Sequence, residues 1–248
     1  MGVCNCAGAG DDGVVRGRPA PGWCNPVIIQ LGSAAMTRRR AALDHLLLAG
    51  PDFDAATAAL EARTGVRAAP AGSHPELGAQ SAIARLGDHT FLEVVGPDPA
   101  LSQGAFAARL EQLKGPQLLM WAAHTENADG IVARATEAGY HAVLTESRRT
   151  RSDGAVVRWR SVFVNGHGAG ALVPFFVEWP RDEHPSRDAP AGLSLVAFRI
   201  EAPEAEALKV VLAALEVSVT VRHGPEERLV AELETPKGPL TLASLATD

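Results

Sequence analysis

The stretch HPELGAQSAIARLGDHTFLEVVGPDP, from His74 to Pro99, decides the fold of this 248-residue chain. Two short apolar runs meet at Gly87-Asp88, and this pattern predicts a β-hairpin. The second run carries a single acid, Glu93, in its middle. A carboxylate on an apolar strand is costly to bury without a partner, so Glu93 is a candidate functional residue.

Upstream of the hairpin, the sequence predicts one more strand and a helix. Residues 43–48 (LDHLLL) form an apolar, strand-like run that contains His45, and an alanine-rich helical stretch follows Asp52 as far as Gly65. Together with the hairpin, these segments predict one β-α-β-β unit.

The same order of elements recurs along the chain. Residues 118–179 contain an apolar run, a helical pattern and two more apolar runs, and residues 193–245 repeat this order in a shorter form. Recurrence of a supersecondary unit indicates a repeat architecture. We therefore expect two paired modules over residues 43–190, and a third, shorter βαββ module over residues 191–248 packed on the same domain.

These motifs resemble glyoxalase-like proteins of the vicinal oxygen chelate superfamily. The resemblance rests on residues 43–66, on the hairpin, on VRWR at 157–160 and on PFFVEW at 174–179, and it extends over about residues 43–245. It implies an α+β fold in which repeated βαβββ modules form a concave, barrel-like mixed sheet with flanking helices. It implies no single reaction, because the superfamily includes isomerases, dioxygenases, epimerases, thiol transferases and non-catalytic drug-binding proteins.

The resemblance also implies a divalent metal, Zn, Ni, Mn or Fe, on the inner face of the sheet. Its ligands would be His45, Glu93 and Glu178, while Met120 holds the position of a fourth ligand and its thioether suits such an ion poorly. His124 shares the strand parity of Met120, but four residues along a strand span about 13 Å, too far to bind the same ion. The alternative is a pocket without a metal, in which Glu93 or Glu178 pairs with an arginine.

Several side chains are candidates for contact with a small-molecule ligand. Arg158 and Arg160 share one face of a predicted strand, where they could hold an anionic carboxylate or enolate. Core packing of the tryptophans and a solvated arginine strand are the alternatives, and His184-Pro185-Ser186 is interpreted as a structural turn. The predicted ligand-binding residues are His74, Trp121, Arg158, Trp159 and Arg160.

Composition and charge limit the class of protein. A net charge of -6 argues against nucleic-acid binding, and no apolar run approaches the roughly 20 residues that span a bilayer. Residues 1–42, rich in glycine and proline, are predicted to be a disordered extension, with Met36 as an alternative start. Cys4, Cys6 and Cys24 all lie there and give no disulfide framework. A cytoplasmic location is expected, with a homodimer left open and organelle targeting as the less favoured alternative.

Two functions from different classes follow from these residues. The first is a glyoxalase-like lyase or isomerase, with a dioxygenase less favoured, in which Glu93 or Glu178 removes a proton next to a carbonyl whose oxyanion is held by a metal or an arginine. The second is a non-catalytic protein of the bleomycin-resistance type that binds and sequesters a small apolar or anionic compound. The missing fourth metal ligand favours the second function.

Overall fold

The computed structural model describes residues 41–101, 104–150, 154, 156–181 and 183–245. The cysteines and Met36 of the predicted N-terminal extension lie outside these ranges. Ala41, the first described residue, forms a bridge with Val217. No helix among the described residues is long and apolar enough to cross a membrane.

The first module forms as the sequence predicts. Helix α1 begins after Asp52, whose carboxylate accepts the Ala55 N–H, and it ends at Gly65, whose φ of 78° favours glycine. The first strand pairs in parallel with the fourth, and the fourth, third and second strands pair antiparallel in turn. The elements are β1 (Ala42–Ala49), α1 (Phe53–Thr64), β2 (Ala69–His74), β3 (Ala79–Gly87) and β4 (Thr90–Pro97).

The second module repeats this topology. Asn127 begins α3 by accepting the Gly130 N–H, as Asp52 does for α1. Again the first strand lies parallel to the fourth, so the predicted repeat is confirmed for these two modules. The elements are α2 (Ala105–Glu111), β5 (Gln117–His124), α3 (Ala128–Glu137), β6 (His141–Thr150), β7 (Val156–Asn165) and β8 (Phe175–Glu178).

The two modules close into an eight-stranded mixed barrel in the order β1-β4-β3-β2-β6-β7-β8-β5. On one side β1 and β5 pair from end to end, whereas on the other side β2 and β6 pair at one position, Ser73 with Thr150. Helix α2 fills one end of the interior, where Leu110 packs against Leu47 and Val95. The other end of the interior carries polar side chains.

The third module is not a copy of the first two, which corrects the sequence-based expectation. Its strand order is β10-β9-β11-β12, so its first strand pairs with its second and third, not with its fourth. Hydrophobic periodicity specifies strands and helices, but it does not specify which strands become neighbours. The elements are β9 (Ser194–Ala202), α4 (Ala205–Ala214), β10 (Thr220–His223), β11 (Arg228–Glu234) and β12 (Leu240–Ala243).

One hydrophobic core extends from the barrel into this second sheet. It contains Leu46 of β1, Trp121 of β5, Ile200 of β9 and Leu212 of α4, all nearly or fully buried. The Trp121 ring lies 5.2 Å from the Phe198 ring. The second sheet therefore covers the outer surface of the barrel strands that it contacts.

Candidate functional site

A cluster of histidines and acids lies on the inner face of the barrel, where β1 and β4 run side by side. In their parallel pairing His45 lies opposite Phe91, and Leu47 lies opposite Glu93. The Nε2 atom of His45 is 3.6 Å from Glu93 Oε2, and the Nε2 atom of His74 is 3.6 Å from Glu93 Oε1. The Glu93 carboxylate therefore lies between two imidazoles, with 12% of its side chain exposed.

Packing and hydrogen bonding hold both imidazoles in place. The His45 ring stacks on Phe91 at 4.5 Å between centroids, and the edge of Phe175 contacts it at 5.5 Å. His74 Nε2 lies 3.1 Å from the buried hydroxyl of Ser81. These neighbours limit rotation of the rings, so their nitrogens stay directed at the carboxylate.

Asp44, which sequence reasoning missed, lies next to His45 and is fully buried. Its Oδ1 atom is 2.6 Å from His45 Nδ1. Its Oδ2 atom accepts the indole N–H of Trp179 at 3.0 Å and is 3.2 Å from His184 Nε2. Strand alternation would place Asp44 and His45 on opposite faces, but β1 has a bulge between Leu43 and His45 that brings both side chains into one cluster.

The charge of Asp44 is set by its neighbours. Burial alone would raise the pKa of its carboxyl, but the imidazoles of His124, His184 and His45 outweigh burial and hold the pKa far below its ordinary value. Asp44 is therefore ionised. Because His124 Nδ1 lies 3.5 Å from Asp44 Oδ2, an ion-pair distance, the pKa of His124 is raised above its ordinary value.

Arg160 and Glu178 lie on the opposite, helix-facing side of the sheet. They are cross-strand partners in β7 and β8. The next pair on the same face of the sheet, Val162 with Phe176, is buried in the core beneath α3. The guanidinium of Arg160 lies 3.0 Å from Glu178 Oε2 and 2.8 Å from Asp129 Oδ2. Glu178 therefore does not share an inner face with Glu93, and the structure shows the arginine pairing that the sequence left open.

Strand parity explains the different positions of the predicted ligand-binding residues. Arg158 and Arg160 do share one face, but it is the outward face, because the residue between them, Trp159, is the one that contacts the inner cluster, with its ring 6.1 Å from that of His74. Trp121 faces the core and not the pocket, since its indole N–H donates to the Leu172 carbonyl at 3.1 Å.

A cavity of about 670 Å³ opens where β7 continues beyond the end of β8. Residues 156–159 have no partner in β8, so side chains from both faces of β7 border it. Its lining includes Arg148, Arg158, Trp159, Arg160, Glu178 and Trp179. The rings of Trp159 and Trp179 are 5.2 Å apart and connect this cavity to the His74 and Asp44 contacts.

The predicted metal ligands do not fit a single ion in this arrangement. Glu178 is held by Arg160 on the far face of β8. Within the described ranges, no group of three or more histidine, cysteine, aspartate or glutamate side chains is placed to hold a metal ion. His45 and Glu93 are the two predicted ligands that the fold does bring together.

Asp44 and His184 each had a signal in the sequence that could have revealed them. Asp44 is an acid beside a histidine within an apolar strand, and a bulge is needed for both to face one site. His184 begins the 3₁₀ turn Pro185–Arg187, as its interpretation as a structural turn implies, but its Nε2 atom also reaches Asp44. Trp179 follows β8 directly, so its contact depends on how the chain leaves that strand.

Comparison with known proteins identifies the family. A sequence profile described as a glyoxalase-like domain matches residues 43–216. No curated protein matches the chain at a significant level.

Three solved structures are similar to this chain to different degrees. A hypothetical protein from Staphylococcus aureus superposes with a TM-score of 0.57 and 10% identity, over 82% of this chain and 85% of that one. A methylmalonyl-CoA epimerase from Mycobacterium tuberculosis gives a TM-score of 0.42 and 22% identity, over 56% and 87% of the two chains. A mutant of 4-hydroxymandelate synthase from Streptomyces coelicolor gives 0.44 and 16%, over 83% and 63%. The first of these shows a shared fold.

Proposed function

The chain belongs to the glyoxalase-like domain family, and on that premise we propose that it is an isomerase or lyase that moves a proton next to the carbonyl group of a small compound. The observation that carries this proposal is the Glu93 carboxylate held between the imidazoles of His45 and His74. A carboxylate and an imidazole, placed together in a largely buried site, are the groups that general acid–base catalysis requires.

The roles follow from the geometry. Glu93 is the general base: it takes a proton from the carbon next to the carbonyl, and the electrons of the broken C–H bond form the enolate. His74 donates a hydrogen bond to the developing oxyanion. Return of the proton to the same or the neighbouring carbon completes an isomerisation, and departure of a group from the next carbon completes a lyase reaction. Glu178, the other predicted base, is already paired with Arg160.

A second candidate is binding without turnover. Trp159 and Trp179 lie 5.2 Å apart with an interplanar angle of 38°, and both border the cavity. Aromatic walls of this kind favour a planar or apolar ligand. This observation supports the sequestering protein as the alternative, and turnover distinguishes the two candidates.

The test is exchange of carbon-bound protons. The full-length protein is incubated in D₂O with a panel of small 2-oxo acids, hydroxyketones and aldehydes, with and without added Zn, Ni, Mn or Fe, and loss of C–H signals is followed by proton NMR. We expect catalysed exchange in at least one compound, and a loss of about 10²–10⁴-fold in Glu93→Gln. The control is Glu206→Gln, which removes an exposed glutamate paired with Lys209 on α4 and should retain exchange. Binding of panel compounds without exchange would support the sequestering protein instead.

A further inference from the structure

The geometry points to Asp44 as the positioning residue of the site. We infer that it holds His45 in the tautomer with the proton on Nδ1, so that Nε2 faces Glu93. The catalytic consequence of this inference rests on the proposed function, whereas the tautomer itself is a property of the resting protein.

Three ring nitrogens surround the Asp44 carboxylate. Trp179 Nε1, which can only donate, lies 3.0 Å from Asp44 Oδ2, and His184 Nε2 lies 3.2 Å from the same oxygen. His45 Nδ1 lies 2.6 Å from the other oxygen, Oδ1. An ionised carboxylate only accepts hydrogen bonds, so each of these three nitrogens must carry a proton.

The contact with Asp44 fixes which nitrogen of His45 accepts. When the imidazole is neutral, a proton on Nδ1 leaves Nε2 as the acceptor. That Nε2 atom is 3.6 Å from Glu93 Oε2, and stacking on Phe91 keeps the ring in this orientation. A proton taken up by Glu93 can then pass to Nε2, where the resulting imidazolium is stabilised by Asp44. With the opposite tautomer, Nε2 already carries a proton and cannot take up another.

The arrangement around Asp44 is built from separate parts of the chain. Asp44 lies in β1, Trp179 follows β8, and His184 begins the 3₁₀ turn at Pro185–Arg187. A fully buried carboxylate is costly unless its hydrogen bonds are complete. The fold supplies three N–H donors from three segments and adds the bulge that brings Asp44 into the cluster, so the contact is specified by the tertiary structure.

The tautomer can be measured without any activity. In the uniformly ¹⁵N-labelled full chain, long-range ¹H–¹⁵N spectra at a pH where the histidines are neutral distinguish the two ring nitrogens, and His45→Gln identifies the signals of His45. We expect protonated-type Nδ1 and unprotonated-type Nε2 shifts for His45 in the wild type. A wild-type spectrum that shows the proton on Nε2 overturns the inference, and this arm requires no substitution at Asp44.

The variant arm uses Asp44→Asn. Asparagine has one acceptor oxygen, which Trp179 and His184 require, so its NH₂ group would face His45 and move the His45 proton to Nε2. The matched control is Asp98→Asn, which replaces another buried acid that accepts two hydrogen bonds, from Ser73 and from Ala100. It should leave the His45 tautomer unchanged. An unchanged tautomer in a folded Asp44→Asn protein would contradict the inference.

The consequence for catalysis is tested separately. In the exchange assay, Asp44→Asn should lower the rate on the order of 10²–10⁴-fold, as loss of a correctly placed acid–base group does, and should alter its pH profile. Asp98→Asn should do neither. If no compound exchanges but the tautomers are as expected, the proposed function fails and the positioning role stands. If exchange occurs and Asp44→Asn preserves it, the positioning role fails and the proposed function stands.

Discussion

At the scale of single residues, the partner of each acid decides its role. Glu93 lies between two imidazoles, whereas Glu178 forms an ion pair with Arg160 on the other side of the sheet. The two glutamates occupy matching strands of the two modules, yet one faces the barrel interior and the other faces solvent and helix α3. Matching strands of a sequence repeat therefore need not carry equivalent chemistry.

The ion pair of Glu178 can be tested by its effect on stability. If Glu178 shared a site with Glu93, removing its charge would relieve repulsion and stabilise the metal-free protein. Since it pairs with Arg160 instead, we expect Glu178→Gln to lower the melting temperature of the metal-free protein, and to lower it more than Glu206→Gln, which removes an exposed helical pair with Lys209. A higher melting temperature for Glu178→Gln would show that the two glutamates repel each other.

His124 makes a pH-dependent contribution to the stability of the fold. Its pKa is raised chiefly by contact with Asp44, with smaller contributions from Glu126 and Glu178. Because folding raises the pKa of His124, protonated His124 stabilises the folded protein fully at pH values below about 6.5, the pKa in the unfolded chain. This stabilisation is lost as pH rises through the higher pKa of the folded protein. Because 42% of this side chain is exposed, we expect the ion pair to contribute about 0.2–1 kcal/mol to the free energy of unfolding.

The measurement compares the wild type with His124→Gln in urea melts from pH 6 to pH 9. The wild type should be the more stable protein at pH 6, and the difference should shrink as pH rises. A difference that is constant with pH, or that grows, would contradict an ion pair between His124 and Asp44.

The family resemblance points to His45 and Glu93, which the fold does bring together, but not to Asp44. Periodicity assigns a side chain to one of two faces, and it assumes a regular strand. The bulge in β1 breaks that assumption at Asp44. Trp121 takes the core-packing alternative, and the neighbour that covers it, Phe198 of the second sheet, is not indicated by any local pattern.

At the scale of elements, local sequence signals are sufficient to predict strands and helices. They do not predict which face of a strand points into the barrel. The caps at Asp52 and Asn127 and the left-handed Gly65 lie where the sequence indicates. The face of β7 that carries Arg158 and Arg160 becomes the outer one through pairing with β8 and packing beneath α3. That choice depends on contacts between distant parts of the chain, so no local pattern contains it.

The contact of α1 with β4 depends on Gly96. A methyl group at this position would lie 2.6 Å from Phe53 Cβ and 2.8 Å from the Phe53 nitrogen, where backbone cannot easily move away. We expect Gly96→Ala to reduce the free energy of unfolding by about 1–3 kcal/mol. Gly87→Ala is the matched control, because its nearest neighbour would be Thr90 Cβ at 3.9 Å. Equal stabilities of the two variants in denaturant melts would show that α1 does not pack against β4 as described.

At the scale of the whole molecule, the cluster of histidines and acids and the second sheet lie on opposite faces of the same strands. His45 of β1 faces the interior, while Leu46 beside it joins the core that includes Ile200 and Leu212 of the third module. The second sheet thus supports β1 and β5 from behind, at the strands that carry Asp44, His45 and His124. Loss of that support would disturb the site even though no residue of the second sheet enters it.

Removing residues 191–248 should therefore unfold the barrel, because it would expose the shared core at Leu46 and Trp121.

A graded version of this test uses two alanine substitutions on α4. Leu212→Ala removes a side chain that is 3% exposed and should cost about 2–5 kcal/mol, whereas Val210→Ala, at a position 68% exposed, should change stability by less than about 0.5 kcal/mol. Because the core is continuous, Leu212→Ala should lower the midpoint temperature of a single cooperative unfolding transition. Calorimetry and the near-ultraviolet circular dichroism of the tryptophans should give the same midpoint. Two separate transitions, or a soluble truncated chain that melts cooperatively, would instead establish two independent domains.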